Sequence, residues 1–184
     1  MKHQTLLIVP LAVLIHSSHA LDAEAIRKLA AEPHDREQLL PELKIYPVAR
    51  EYKITARSGA PGAELREAPA VIATEKVVQG RYLISEAMIP GAEKPLVMVV
   101  TFDKEASVFK KWVLTPDGTL GTSTGVADQG KRTIAWVSKT APGDAAPLVL
   151  SLESHSDDKT TWKETILEDG EVVGISDGVA VKTK

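Results

Sequence analysis

The chain has no cysteine among its 184 residues. That excludes disulfides, thiolate metal ligands, cysteine nucleophiles and lipid attachment through cysteine. Aromatic residues are scarce at 4%, too few for the aromatic girdles of a membrane-spanning barrel. Neither sign of charge is in excess: 22 basic and 25 acidic side chains leave a formal charge of −3. A nucleic-acid binder needs a basic face to neutralise phosphates, so that class is set aside. What the chain does have is 43% hydrophobic and 26% charged residues. This composition builds a core and does not describe a disordered polymer. The length suits one domain.

Residues 1–20 read as a secretory signal peptide. Lys2 supplies the positive start, Leu6 to Ile15 is a ten-residue apolar run, and Ser18-His19-Ala20 offers small residues for cleavage after Ala20. As a helix this run rises only about 15 Å, half of a hydrocarbon core, and Pro10 interrupts it. The expected product is a periplasmic or extracellular protein with no membrane span after cleavage. Residues 21–45 form the expected helical N-terminal segment. Asp22 is a candidate N-cap, Ile26, Leu29 and Ala30 share a face, and Asp35 with Gln38 suggests a second short helix carrying Leu39 and Leu40.

From residue 46 to 184 the period changes to two. Tyr52, Ile54 and Ala56 alternate with charged neighbours. Runs rich in Val, Ile, Thr and aromatics then recur between turn signals: 71–89, 96–102, 108–114, 119–126, 132–139, 148–155, 160–167 and 172–181. No helix-length connection separates them, so neighbours pair antiparallel. The expected fold class is all-β: an antiparallel up-and-down barrel or strongly curled meander, closed because open edges invite aggregation.

Chemistry-bearing patterns are few. Gly121-Thr122-Ser123-Thr124-Gly125 matches the nucleophile elbow, with Asp144 and His155 following in hydrolase order. The elbow needs a helix after the serine, whereas a turn and another strand follow here. The serine hydrolase is therefore the third reading, and no catalytic residue is assigned. Two histidines remain beyond residue 20, His34 and His155, and without cysteine they make no metal or haem site. Asp157-Asp158 reads as a solvated hairpin tip. Trp112, Trp136 and Trp162 recur at spacings near two strand-plus-turn units. With Tyr82 and Phe102 they are the candidate lining of an interior cavity for a small apolar or amphipathic ligand. The alternative is that these rings fill a structural barrel that binds another protein.

The stretch Gln79-Gly80-Arg81-Tyr82-Leu83, followed by Glu86, Phe102-Asp103, Phe109 and Trp112, resembles a family of secreted bacterial lipocalin-like proteins of the calycin type, of unknown function. Ser123 to Gly125, Asp128 and Thr133-Ile134 extend the resemblance. It implies a barrel fold and an exported compartment, and it makes the serine motif a structural strand. It implies no catalytic residues and no cofactor. The early Gly-x-Trp segment of that family has no counterpart here, since no Trp precedes Val71.

Overall fold

The computed structural model describes residues 21–34, 39–139 and 147–183. Residues 1–20, where a signal peptide was expected, the pair Asp35 and Gln38, and Asp144 lie outside the described residues. The helix α1 spans Ala23–Ala31, with Asp22 accepting from the Ala25 amide at 2.8 Å. Where a second helix carrying Leu39 and Leu40 was expected, neither residue is helical, and a 3-10 turn, Pro41–Ile45, follows. The reason is Pro41, which disfavours helix in the residue before it and has no amide to donate.

Eleven strands follow in chain order: β1 Glu51–Gly59, β2 Arg66–Glu67, β3 Val71–Val78, β4 Tyr82–Ala87, β5 Leu96–Asp103, β6 Val108–Leu114, β7 Leu120–Asp128, β8 Thr133–Lys139, β9 Leu148–His155, β10 Lys159–Glu168 and β11 Glu171–Lys182. Apart from the short β2, each pairs antiparallel with its chain neighbours, and β11 returns to β1, from Tyr52↔Lys182 to Gly59↔Ile175. The result is a closed barrel of ten strands, consistent with a lipocalin-like barrel. Tight turns do the linking. At Gln79-Gly80 and Asp169-Gly170 both residues take positive φ, the type I′ geometry that matches strand twist.

The registers sort each strand into a lumen face and an outer face. Two apolar clusters result, one on each side of the wall. Inside, Val77, Leu83, Val100, Phe109, Ile134 and Trp136 pack around Leu43, Ile45 and Tyr46. These last three belong to the segment that plugs one barrel end. The plug is tied down by Leu40 donating to the Gly80 carbonyl at 2.7 Å and by Arg132 reaching the Ile45 carbonyl at 3.3 Å. Outside, Ile26 and Leu29 of α1 cover Val78, Ile84, Val97, Val99, Trp112 and Leu114. The Lys76 ammonium donates to the Ala30 carbonyl, and the Val77 amide donates to His34 Nδ1 at 3.0 Å. The end opposite the plug is ringed by the turns around Met88–Pro95, Thr115–Thr119 and Asp169-Gly170.

Candidate functional site: the barrel lumen

The five aromatics expected to line one cavity divide between the two faces. Phe102, Trp136 and Trp162 face the lumen, whereas Tyr82 and Trp112 lie on the outer wall beneath α1. Loop length is the physical reason. The β6–β7 connection joins Leu114 to Leu120 and keeps even-numbered residues outside, so Trp112 and its partner Thr122 are outer. The loop from Asp128 to Thr133 reverses that parity and turns Trp136 inward, opposite Gly125. Even spacing in sequence therefore does not preserve the face.

The two inner tryptophans lie flat over glycines. A Cβ on Gly125 would stand 2.6 Å from Trp136 Cε3, and one on Gly178 would overlap the Trp162 ring. Ring and glycine together make one layer of wall. This accounts for Gly125 of the Gly121–Gly125 motif. Ser123 sits mid-strand facing the lumen, its hydroxyl 2.6 Å from that of Ser138. The turn and β8 follow it, not a helix, and His155 Nδ1 is engaged by Thr160 at 2.9 Å.

Near the plug the lumen holds an ionic cluster. Lys111 of β6 reaches across to Glu153 of β9, Nζ to Oε1 2.7 Å, and lies 4.3 Å above the Trp136 ring. Burial alone would raise the Glu153 pKa, but the charge and hydrogen bond of Lys111 hold it below the usual carboxylate value. His155 Nε2 stands 3.8 Å from Glu153 Oε2, and burial lowers the imidazole pKa despite that neighbour. The Tyr46 ring packs at 4.6 Å on His155, and burial, then Glu153 and Glu75, raise its phenol well above normal. Tyr46 Oη, Trp136 Nε1 and His155 Nε2 are buried without a hydrogen-bond partner.

Glu75 forms a second buried centre. It accepts from the Ala49 amide at 3.1 Å, Tyr52 Oη at 3.2 Å and Ser85 Oγ at 3.3 Å. Among the described residues no cation pairs with it, and burial pushes its pKa up to about 7. Tyr52 also donates to the Pro47 carbonyl, so Glu75 and Tyr52 together fasten the plug. Higher on the wall Glu164 accepts from Ser176 at 2.6 Å. None of Tyr46, Glu75, Lys111, Glu153 or Glu164 was singled out from sequence. The available signal was phase: Glu75 falls between Ala73 and Val77, and Lys111 between Phe109 and Val113, each in an apolar register.

The side chains inside the barrel are not all fully buried. Enclosed by ten strands, Lys111 and Glu153 still keep 10% and 13% of their side-chain surface accessible. Met98, Val113, Ser138, Val149, Trp162 and Ile166, all lumen-facing, are only half-buried. Eight strands suffice for side chains to fill a barrel; here there are ten, and glycine, serine or alanine occupies much of the inner face of β7 and β11. A groove of about 740 Å³ lies near Arg57, Glu67, Leu152, Lys163 and Val179, with Ala56, Trp162 and Gly178 also in its lining. Its Arg57 and Asp177 satisfy each other in a two-bond pair at 2.9 and 2.7 Å. The lumen is the better candidate because its polar groups are buried and incompletely partnered.

No family model and no characterised protein sequence matches the chain. Among solved structures, it is similar to a protein of unknown function from the DUF3598 family of Nostoc punctiforme PCC 73102, at 15% identity and a TM-score of 0.51. The match covers 84% of this chain and 53% of that one, so this chain spans about half the length of its neighbour. At this identity the likeness is one of fold: the chain is a closed antiparallel barrel, similar in architecture to a domain of unknown function.

Proposed function

We propose that this is an exported, non-catalytic binding protein that holds a small amphipathic molecule in the barrel lumen. The observation that carries the reading is the accessible surface retained by Lys111 and Glu153 inside the barrel, near the plug. Tighter filling of the barrel would bury these two side chains further. The plug closes one end, so a ligand enters from the other. Met98, Val113, Val149 and Ile166 supply apolar wall on the way, and Trp162 an aromatic one. Export rests on the reading of residues 1–20. The non-catalytic assignment rests on Ser123, whose hydroxyl is bound to another serine rather than to a base.

Native mass spectrometry of the protein purified from an exporting host tests this. A discrete small-molecule increment is expected, lost in the variant Val149→Trp, which fills the lumen. A bare chain that also fails to change its tryptophan emission with any alkyl ligand would refute lumen binding. A second reading, a protein-docking barrel, is favoured by one observation. Val126, Leu150 and Leu152 stand 56%, 40% and 50% exposed on the outer wall that α1 leaves uncovered. Concentration-dependent self-association that Leu152→Lys abolishes would support it.

A further inference from the structure

The plug joins the barrel through a short stalk, residues 46–50, which runs from the 3-10 turn into β1. Tyr52 of β1 and Glu75 of β3 grip this stalk at two points. Tyr52 Oη donates to the Pro47 carbonyl, and Glu75 Oε1 accepts from the Ala49 amide at 3.1 Å. The two side chains also meet each other, with Tyr52 Oη 3.2 Å from Glu75 Oε1. A phenol has one proton to give, and here two acceptors lie within its reach. While that proton is on Pro47, the contact with Glu75 is a hydrogen bond only if the carboxyl group supplies a proton of its own. The hold on Pro47 is therefore coupled to the protonation of Glu75.

The groups around Glu75 come from every element packed on it. From β4, Ser85 Oγ donates to Glu75 Oε2 at 3.3 Å, and Met98 of β5 lies beside Ser85. From the plug, Tyr46 lies within the influence of both Glu153 and Glu75, and Lys111 is committed to Glu153. Along the edge of β3, the Glu75 amide donates to the Arg50 carbonyl and the Val77 amide to His34 Nδ1 at 3.0 Å. The Arg50 side chain is exposed, and Lys76 is engaged by Glu86 and by the Ala30 carbonyl of α1. Among the described residues no cation pairs with Glu75. Burial outweighs its three hydrogen bonds and pushes its pKa up to about 7. Burial, then the nearby Glu75, keeps the Tyr52 phenol protonated.

We propose that Tyr52 and Glu75 form a proton-operated clasp that holds the plug in the barrel end. With Glu75 neutral, Tyr52 stays on Pro47 and the end is shut. When Glu75 ionises, its carboxylate competes with the peptide carbonyl for the one phenolic proton. The carboxylate wins, because hydrogen bonds to a charged acceptor are roughly twice as strong. Pro47 loses its donor and the stalk is released. The clasp belongs to the plug alone and does not depend on what the lumen holds.

Hydrogen–deuterium exchange of the full-length protein at about pH 6 and about pH 8 tests this, with rates converted to protection factors so that intrinsic pH dependence cancels. Protection of the plug, residues 39–50, should fall roughly tenfold or more at the higher pH. Amides of β5 and β6 beneath α1 should keep theirs, which separates plug release from global unfolding. Glu75→Gln, which cannot ionise, should keep the plug protected at both pH values. Tyr52→Phe should leave it as poorly protected at the lower pH as wild type is at the higher. Equal plug protection at the two pH values overturns the proposal, as does a fall that persists in Glu75→Gln. A plug that instead loosens toward acid refutes it and points to His34, whose bond from Val77 is broken when Nδ1 is protonated. Should Glu75→Gln not fold, a pH dependence that survives in Tyr52→Phe overturns the clasp.

Discussion

Glycine 125 and glycine 178 lie under tryptophan rings, but the two rings differ in freedom. Trp136 is buried at 1% exposure, whereas Trp162 is half-buried and borders the open lumen. Gly125→Ala should therefore destabilise by about 1–3 kcal/mol in urea unfolding, and Gly178→Ala by less, because Trp162 can swing away. At the ionic centre, Lys111→Met strands Glu153 without its cation and should cost about 3–5 kcal/mol. The double variant Lys111→Met, Glu153→Leu should recover much of that loss, since the penalty belongs to an unpaired charge. Glu75 sets a pH dependence of definite sign. Its pKa is raised in the folded chain to about 7, so the stability it confers is full below the unfolded value near 4.5 and is lost as pH rises through 7. His155, with a lowered pKa, acts oppositely: its contribution is lost as pH falls below the unfolded value. The difference between wild type and Glu75→Gln isolates the first effect. That variant should gain on the order of 3 kcal/mol relative to wild type between pH 5 and 8. A difference that stays flat with pH would show that Glu75 does not titrate there.

At the scale of elements, α1 and the plug have separate tasks although they are adjacent in sequence. The helix seals the outer wall over Trp112, and the plug seals the barrel end under Tyr46. Asp22→Ala removes one cap bond and should cost about 1 kcal/mol. Ile26→Ala opens a cavity over the outer cluster and should cost about 2–4 kcal/mol, with a red shift of Trp112 emission. Neither change should alter lumen binding, because neither residue reaches the inner face. The strands were legible in the sequence because period-two alternation and turn residues are local signals. The 71–89 run divides at Gln79-Gly80, where both residues adopt positive φ, and the remaining runs match β5 to β11 within a few residues. The Asp22 cap was equally legible. Pro41 made the second helix a 3-10 turn, a local effect outweighed in the sequence reading by the apolar pair Leu39-Leu40.

For the whole molecule, closure depends on pairing the first long strand with the last. β1 meets β11 through eight residue pairs, and Lys182 also donates to the Asp158 carbonyl at 2.8 Å. Removing Glu171–Lys184 exposes two edges and the lumen at once. The truncated chain should lose cooperative unfolding and aggregate, which calorimetry and light scattering would detect. Such long-range pairing also implies slow folding for a chain of this size.

Alternation, turn chemistry and the lack of cysteine were enough to determine an all-β meander that does without disulfides, because each depends on residues a few positions apart. Which side of the wall a tryptophan takes was decided only by tertiary structure, because a single residue of loop length inverts every side chain of the strand that follows. The meeting of Lys111 with Glu153, and of Glu75 with Ala49 and Tyr52, was decided there too. Curvature and closure bring strands remote in sequence across one lumen, and no local pattern records that distance.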